Sequence, residues 1–256
     1  MRFPAFDMPL WVIALAALTV LQPQASEPPA EPAPAAAEAP GIGHDAIPRP
    51  FSAHYVAEWK NISVGTSDLQ LQIDKQAGRY HYTWTTSARG IFRLVYSSDL
   101  IQQSWLRVID DQVRPEKYRA EEGSSSVSFD FDWDSGHARG STEGKPLDLA
   151  LPPGTQDLLS IQIAVMLDLK NGNLPPTFHI IDKDRVKEFS YRREGETDLE
   201  TALGTLHTVI VASRQTGSNR ILRMWFAPEL GFVPIQAERT RENKLEFAIR
   251  IRSLKR

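Results

Sequence analysis

The sequence predicts a mainly β protein: a curved antiparallel sheet, a half-barrel or open barrel built as a meander of hairpins, with one central α-helix packed on its concave face. Three observations lead there. From Phe51 onward apolar and polar residues alternate in short runs, as where Leu69, Leu71 and Ile73 are set between Asp68, Gln70, Gln72 and Asp74. This is the period of half-buried strands. Turn clusters such as Gln76-Ala77-Gly78-Arg79 and Ser135-Gly136 separate the runs closely enough to imply hairpins. Only the stretch from Pro152 to Gly172 departs from alternation and spaces its apolar residues as a helix does.

The chain opens with an address. Residues 1–25 carry Arg2, an apolar run from Met8 to Leu21 and a cleavable Ala25-Ser26 bond, the layout of a secretory signal peptide. The run is shorter than the about 18 apolar residues of a membrane span. Left uncleaved, it would instead tether the protein to the inner membrane, and this segment is the only membrane contact expected. Residues 26–50 are rich in Pro, Ala and Glu. Proline blocks helix and ladder hydrogen bonds, and little apolar bulk offsets ordering entropy, so a disordered, extended linker is expected. Residues 51–256 are expected to form a single β-rich domain.

In that domain Phe51, Ala53, Tyr55, Ala57 and Trp59 share one face of the first strand. Tyr80, Tyr82 and Trp84 alternate with His81, Thr83 and Thr85; Leu94 to Val108 is read as a further strand, and Arg114 to Tyr118 as the next. Phe129, Phe131 and Trp133 alternate with Asp130, Asp132 and Asp134. Beyond the helix, strands are expected around Phe178, Val186, Leu199, Thr205 to Ala212 and Ile221, followed by a last hairpin from Phe232 to Arg252. The Thr205 to Ala212 strand, apolar on both faces, is expected to lie under the helix.

The helix has marked ends. Pro152-Pro153-Gly154 stops the preceding strand, Thr155 is placed to cap, Asp157 puts negative charge at the positive end, and Gly172 provides the exit. About 16 residues at roughly 1.5 Å each would cross about five strands. Leu158, Ile161, Val165 and Leu169 make one stripe, and Leu159, Ile163, Met166 and Leu167 extend it round most of the circumference. A helix so apolar must be covered on more than one side.

Composition narrows the function. The 256 residues carry a net charge of −3, which gives no bulk attraction to nucleic acid. The absence of cysteine removes disulfides, thiolate nucleophiles and thiolate zinc sites. Asp130, Asp132, Asp134 and Gly136 mimic a calcium loop, but glycine falls one place late and Ser141 occupies the closing position. Ser160 lacks the G-x-S-x-G turn of a serine nucleophile, and helix-end hydrogen bonding accounts for it. The histidines are scattered singly. No catalytic residue, metal site or cofactor is expected.

Two residue groups remain as binding candidates. Trp84, Trp105, Leu158, Ile161, Val165, Met166 and Trp225 would line an apolar groove between curved sheet and helix. Arg239, Arg241, Arg250 and Arg252 gather positive charge on the last hairpin, read as a solvated sheet edge or an anion site.

Several segments occur in a recognisable order: F-S-A-H-Y-V-A-E-W-K-N-I-S-V-G from Phe51, R-P-E-K-Y from Arg114, V-S-F-D-F-D-W-D from Val127, D-L-L-S-I-Q from Asp157, L-G-T-L-H-T-V from Leu203 and M-W-F-A-P-E-L-G-F-V-P-I from Met224. In this the chain resembles domain-of-unknown-function family 3108, exported bacterial proteins with no assigned activity, so the resemblance implies no catalytic residue. In architecture, a curved sheet holding a helix also resembles the LolA-type periplasmic lipoprotein carriers.

The expectation is therefore an exported, periplasmic, non-enzymatic protein whose partner is an amphiphilic small molecule, acyl chain or lipoprotein. An envelope interaction or assembly module with a filled core is the alternative. A hydrolase using strand carboxylates is less favoured, because alternation sets them in a row rather than converging them.

Overall fold

The computed structural model describes residues 48–256. The expected signal peptide and most of the expected linker lie outside these residues. Among the described residues the strands are β1 (Phe51–Trp59), β2 (Ile62–Asp74), β3 (Arg79–Ala88), β4 (Leu100–Ile109), β5 (Gln112–Glu122), β6 (Ser125–Asp132), β7 (His137–Thr142) and β8 (Lys145–Ala150). After the helix α1 (Ser160–Lys170) come β9 (Thr177–Asp182), β10 (Arg185–Thr201), β11 (Gly204–Gln215), β12 (Arg220–Ala227), β13 (Val233–Arg241) and β14 (Lys244–Lys255).

All fourteen belong to one sheet in the order β8-β7-β6-β5-β4-β3-β2-β1-β14-β13-β12-β11-β10-β9. Every strand pairs antiparallel with its sequence neighbour across a hairpin, except that β1 and β14 join the two meanders. The sheet stays open, with β8 and β9 as its edges, and α1 is the chain's route between them.

Alternation was a sound guide to which side chains enter the core. Tyr55, Tyr82, Tyr118, Phe129, Phe189 and Phe226 are fully buried and form one apolar cluster with Ile163, Val165 and Leu167 of the helix. All of α1 is buried except Asp168 and Lys170. Burying each Leu, Ile, Val or Met contributes about 1.5–3 kcal/mol, so packing holds this helix more than propensity does. The helix lies against β5 and β4. It does not rest on β11, the strand expected beneath it.

The helix is also shorter than its sequence signature, at 11 residues. Thr155 does not cap it. Its N–H (3.2 Å) and Oγ1 (2.6 Å) both donate to the Pro152 carbonyl and close the Pro-Pro-Gly turn. Gln156 then runs extended, donating its N–H to His179 O at 2.8 Å and accepting from Ile181 N–H at 2.9 Å, as a parallel bridge to β9. Its side-chain Nε2 donates to Val113 O of β5 at 2.9 Å. Of the residues that looked like a first helical turn, Thr155 closes the preceding turn and Gln156 ties β9 to β5.

The exit conforms to expectation. Gly172 adopts φ 67°, its N–H donates to Leu169 O (3.2 Å), and Asn173 N–H donates to Asp168 O (2.8 Å). This is a Schellman cap, which needs a left-handed residue that glycine supplies without a Cβ clash.

Two other readings are corrected. Leu94 to Val108 is not one strand: Gly90–Leu94 is a 3-10 turn, and β4 begins only at Leu100. The last hairpin is not an edge, because β14 lies between β13 and β1 in mid-sheet.

Candidate functional site

Asp157, where the chain enters α1, has no solvent exposure. Its Oδ1 accepts the N–H groups of Leu159 and Ser160, both at 2.8 Å, and its Oδ2 accepts the Ser104 hydroxyl at 2.7 Å. Ser160 Oγ accepts Asp157 N–H at 2.8 Å in return. Asp157 is thus the side chain that satisfies the first free N–H groups of the helix, in a reciprocal box. Burial pushes its carboxyl up to about 6, against the pull of the three hydrogen bonds the carboxyl accepts. Ser160 is wholly committed to this lock and has no solvent exposure.

Further polar pairs surround the helix inside the sheet. Tyr82 Oη donates to Gln162 Oε1 at 3.1 Å, and Gln102 Nε2 donates to Tyr118 Oη at 2.7 Å. Such groups fix the seat of the helix, since leaving a buried partner unmet costs about 1–3 kcal/mol.

The C-terminal half of α1 adjoins two cavities, and Leu167 lines both. The first, about 270 Å³, is bounded by Met166, Leu167, Leu230 and Val233, with Arg49, Lys170, Glu229 and Arg256 among its lining. Val233 and Met166 are buried, whereas Arg49, Lys170 and Arg256 are exposed. Three cations and one carboxylate thus stand round an apolar floor. The fold assembles them from the entry to β1, the end of α1, the 3-10 turn Pro228–Leu230 and the end of β14.

The second cavity, about 580 Å³, lies where the β4–β5 turn faces the start of β9, with Asp110, Asp111, Gln156, Asp168 and His179 in its lining. Desolvation pushes Asp168 up to about 7. It is the acidic counterpart of the first.

The candidates read from sequence do not line one surface. Trp84, Ile161, Val165 and Met166 are buried, and Leu158 packs at the margin of the core. Met166 reaches the basic cavity. Trp105 lies on the outer face, because its neighbours Ser104 and Leu106 point inward; it stacks on His81 with centroids 4.6 Å apart and planes 10° apart. Trp225 likewise alternates with the buried Met224 and Phe226. An alternating strand can aim only one of two adjacent residues at the helix.

The arginines of the last hairpin are not a free basic patch. Arg239 Nε donates to Glu246 at 2.9 Å, as does Arg220 Nε at 2.9 Å. Arg250 bonds Glu58 of β1 and, at 3.1 Å, Glu238 of β13. They form cross-strand ion pairs in mid-sheet, while Arg241 and Arg252 are exposed. Asp130 and Asp132 project outward beside the buried Phe129 and Phe131; Asp132 meets Arg139 at 3.2 Å and Asp130 meets Lys117 at 3.7 Å. Trp133 has left the strand and donates from its indole N–H to Pro115 O at 2.7 Å. No group of three metal-ligating side chains is found among the described residues.

Comparison with known proteins decides the family. The profile described as Protein of unknown function (DUF3108) matches residues 51–243. The chain belongs to this family. The DUF3108 match runs from the first residue of β1 to the β13–β14 turn, so it takes in β1 to β13 and the helix. No curated protein gives a significant sequence match. Among solved structures, the crystal structure of a "putative lipoprotein" from Parabacteroides distasonis ATCC 8503 aligns over 82% of this chain and 98% of that one, at 11% identity and TM-score 0.32. No helix among the described residues is long and apolar enough to cross a membrane.

Proposed function

We propose that this DUF3108 protein is an exported, non-enzymatic protein of the cell envelope that binds an anionic amphiphile at the C-terminal end of its helix. One observation carries the reading: Arg49, Lys170 and Arg256 stand round a floor of Met166, Leu167, Leu230 and Val233. An acyl chain bearing an acidic head matches both halves of that surface. The cavity, about 270 Å³, lies just below the roughly 300–1,000 Å³ of typical ligand pockets, and it suits one chain end rather than a whole lipid. Each methylene buried there contributes about 0.8 kcal/mol, so the chain supplies affinity and the cations supply orientation.

The test is displacement of a fluorescent fatty acid from the wild-type chain and from Lys170→Glu combined with Arg256→Glu. Reversing both charges is expected to weaken binding at least about tenfold, since each reversal opposes the anion by about 1 kcal/mol or more. Equal affinities, or no binding to either protein, would remove this reading. A second reading, an assembly module with a filled core, is favoured by the completeness of the packing around Val165, Phe129 and Phe226, none of which has measurable exposure.

A further inference from the structure

The connection from β3 to β4 is ordered yet strongly apolar on its outside. Its backbone is held by Arg89 N–H to Val64 O (2.9 Å), Val95 N–H to Phe92 O (3.1 Å) and Tyr96 N–H to Phe92 O (2.9 Å), and Arg93 pairs with Asp99. Even so, Ile91 is 74%, Leu94 84% and Val95 69% exposed. Ile62, on the same strand as Val64, adds a side chain 55% exposed. Isolated surface apolar residues need no explanation, but three on one short loop beside a fourth do.

Glu58 is tied to Arg250 and Asp99 to Arg93, and Glu121 and Glu122 end β5 behind the loop, on the side of Tyr96, whereas Lys60 and Arg89 are exposed beside the apolar tip. Lys60 lies over the Trp59 ring at 4.8 Å, and Phe92 and Tyr96 are half-buried at the base of the loop. Apolar residues at the tip, aromatic residues behind them and cations at their flank match the layers of a bilayer interface with anionic lipid. A second copy of the chain fits less well, because a stable dimer buries about 800 Å² per partner and a protruding loop offers far less.

We infer that this end of the sheet docks on a bilayer containing anionic phospholipid, with Ile91, Leu94 and Val95 entering the boundary between headgroups and acyl chains. The contact is separate from the amphiphile cavity. The loop follows the end of β3, whereas the cavity adjoins the start of β1. The length of β1, 9 residues, puts roughly 30 Å between the two ends.

The natural chain has no cysteine, so a single label is unambiguous. The full chain bearing Leu94→Cys, coupled to an environment-sensitive fluorophore, is mixed with phosphatidylglycerol–phosphatidylcholine vesicles and with phosphatidylcholine alone; Ser135→Cys, at the far end of the sheet, is the control. A local label reads insertion of the loop whatever the N-terminal segment does. The expected result is a blue-shifted, brighter emission at position 94 with the anionic vesicles and none at position 135. Lys60→Gln with Arg89→Gln should weaken the response about 30-fold, from the loss of two surface cations, and Ile91→Asp with Val95→Asp should abolish it. A silent label at position 94, an equal response to both vesicles, or a shift without vesicles that grows with protein concentration would overturn the proposal, the last in favour of self-association. Fatty-acid displacement unaffected by Ile91→Asp with Val95→Asp would keep the two sites distinct.

Discussion

At Asp157 a carboxyl group without solvent contact is held at the helix entry by Ser104, Leu159 and Ser160. Its folded value, about 6, lies above the ordinary 3.8. The fold therefore favours the protonated acid. Stability from this group is complete below about pH 4 and is lost as pH rises through about 6, and two pKa units correspond to roughly 3 kcal/mol. Asp157→Asn keeps an acceptor for the two helix N–H groups and cannot titrate, while the Ser104 hydroxyl can turn to accept. Urea unfolding of the two proteins between pH 4 and pH 7 should show the wild type losing about 2–3 kcal/mol relative to the variant. Parallel stability profiles would show that the proton has no part in the fold.

Two elements depend on single positions. Val165 is at the centre of α1 with no exposure, and Val165→Asp would bury an unpaired carboxyl at a cost above about 4 kcal/mol. A cooperative melt close to that of the wild type would refute the organising role of the helix. Gly140 on β7 has no such burial, but a Cβ there would stand 1.9 Å from Ser128 O of β6. Gly140→Ala must push these strands apart, with an expected loss of about 1–3 kcal/mol read as a lower Tm, while an unchanged Tm would contradict the crowding. These cases also mark how far sequence reaches. Alternation placed Leu69, Leu71, Phe129 and Phe131 correctly in the core, because burial on one face imposes a period of two. The Schellman exit at Gly172 was equally legible, being local chemistry. The helix entry was not, because Gln156 is claimed by hydrogen bonds to β5 and β9 and Asp157 by Ser104 of β4, all distant in sequence. Leu94 and Val95 passed for strand because an exposed apolar loop and a strand have the same composition. Crowding at Gly140 depends on an approach between strands that sequence does not encode locally.

Across the whole molecule, two meanders meet at the β1–β14 pair and the helix fills the space they enclose. That pairing sets two of the arginines expected on an edge, Arg239 and Arg250, into mid-sheet ion pairs with Glu58, Glu238 and Glu246. It also brings Arg256 to the entry of β1, beside Arg49 and the end of the helix at Lys170. Three cations from distant parts of the chain make no motif, so the basic cavity could only be found once the sheet was assembled. An anionic amphiphile seated there is the central claim, and methyl NMR tests it most directly. The full chain, labelled at methionine and leucine methyl groups, would be titrated with dodecanoate and separately with a dodecyltrimethylammonium salt. Saturable shifts at Met166, Leu167 and Leu230 with dodecanoate, absent with the cationic amphiphile, are the predicted result. Shifts at these methyls that never saturate, that are the same for both amphiphiles, or that fail to occur would contradict it.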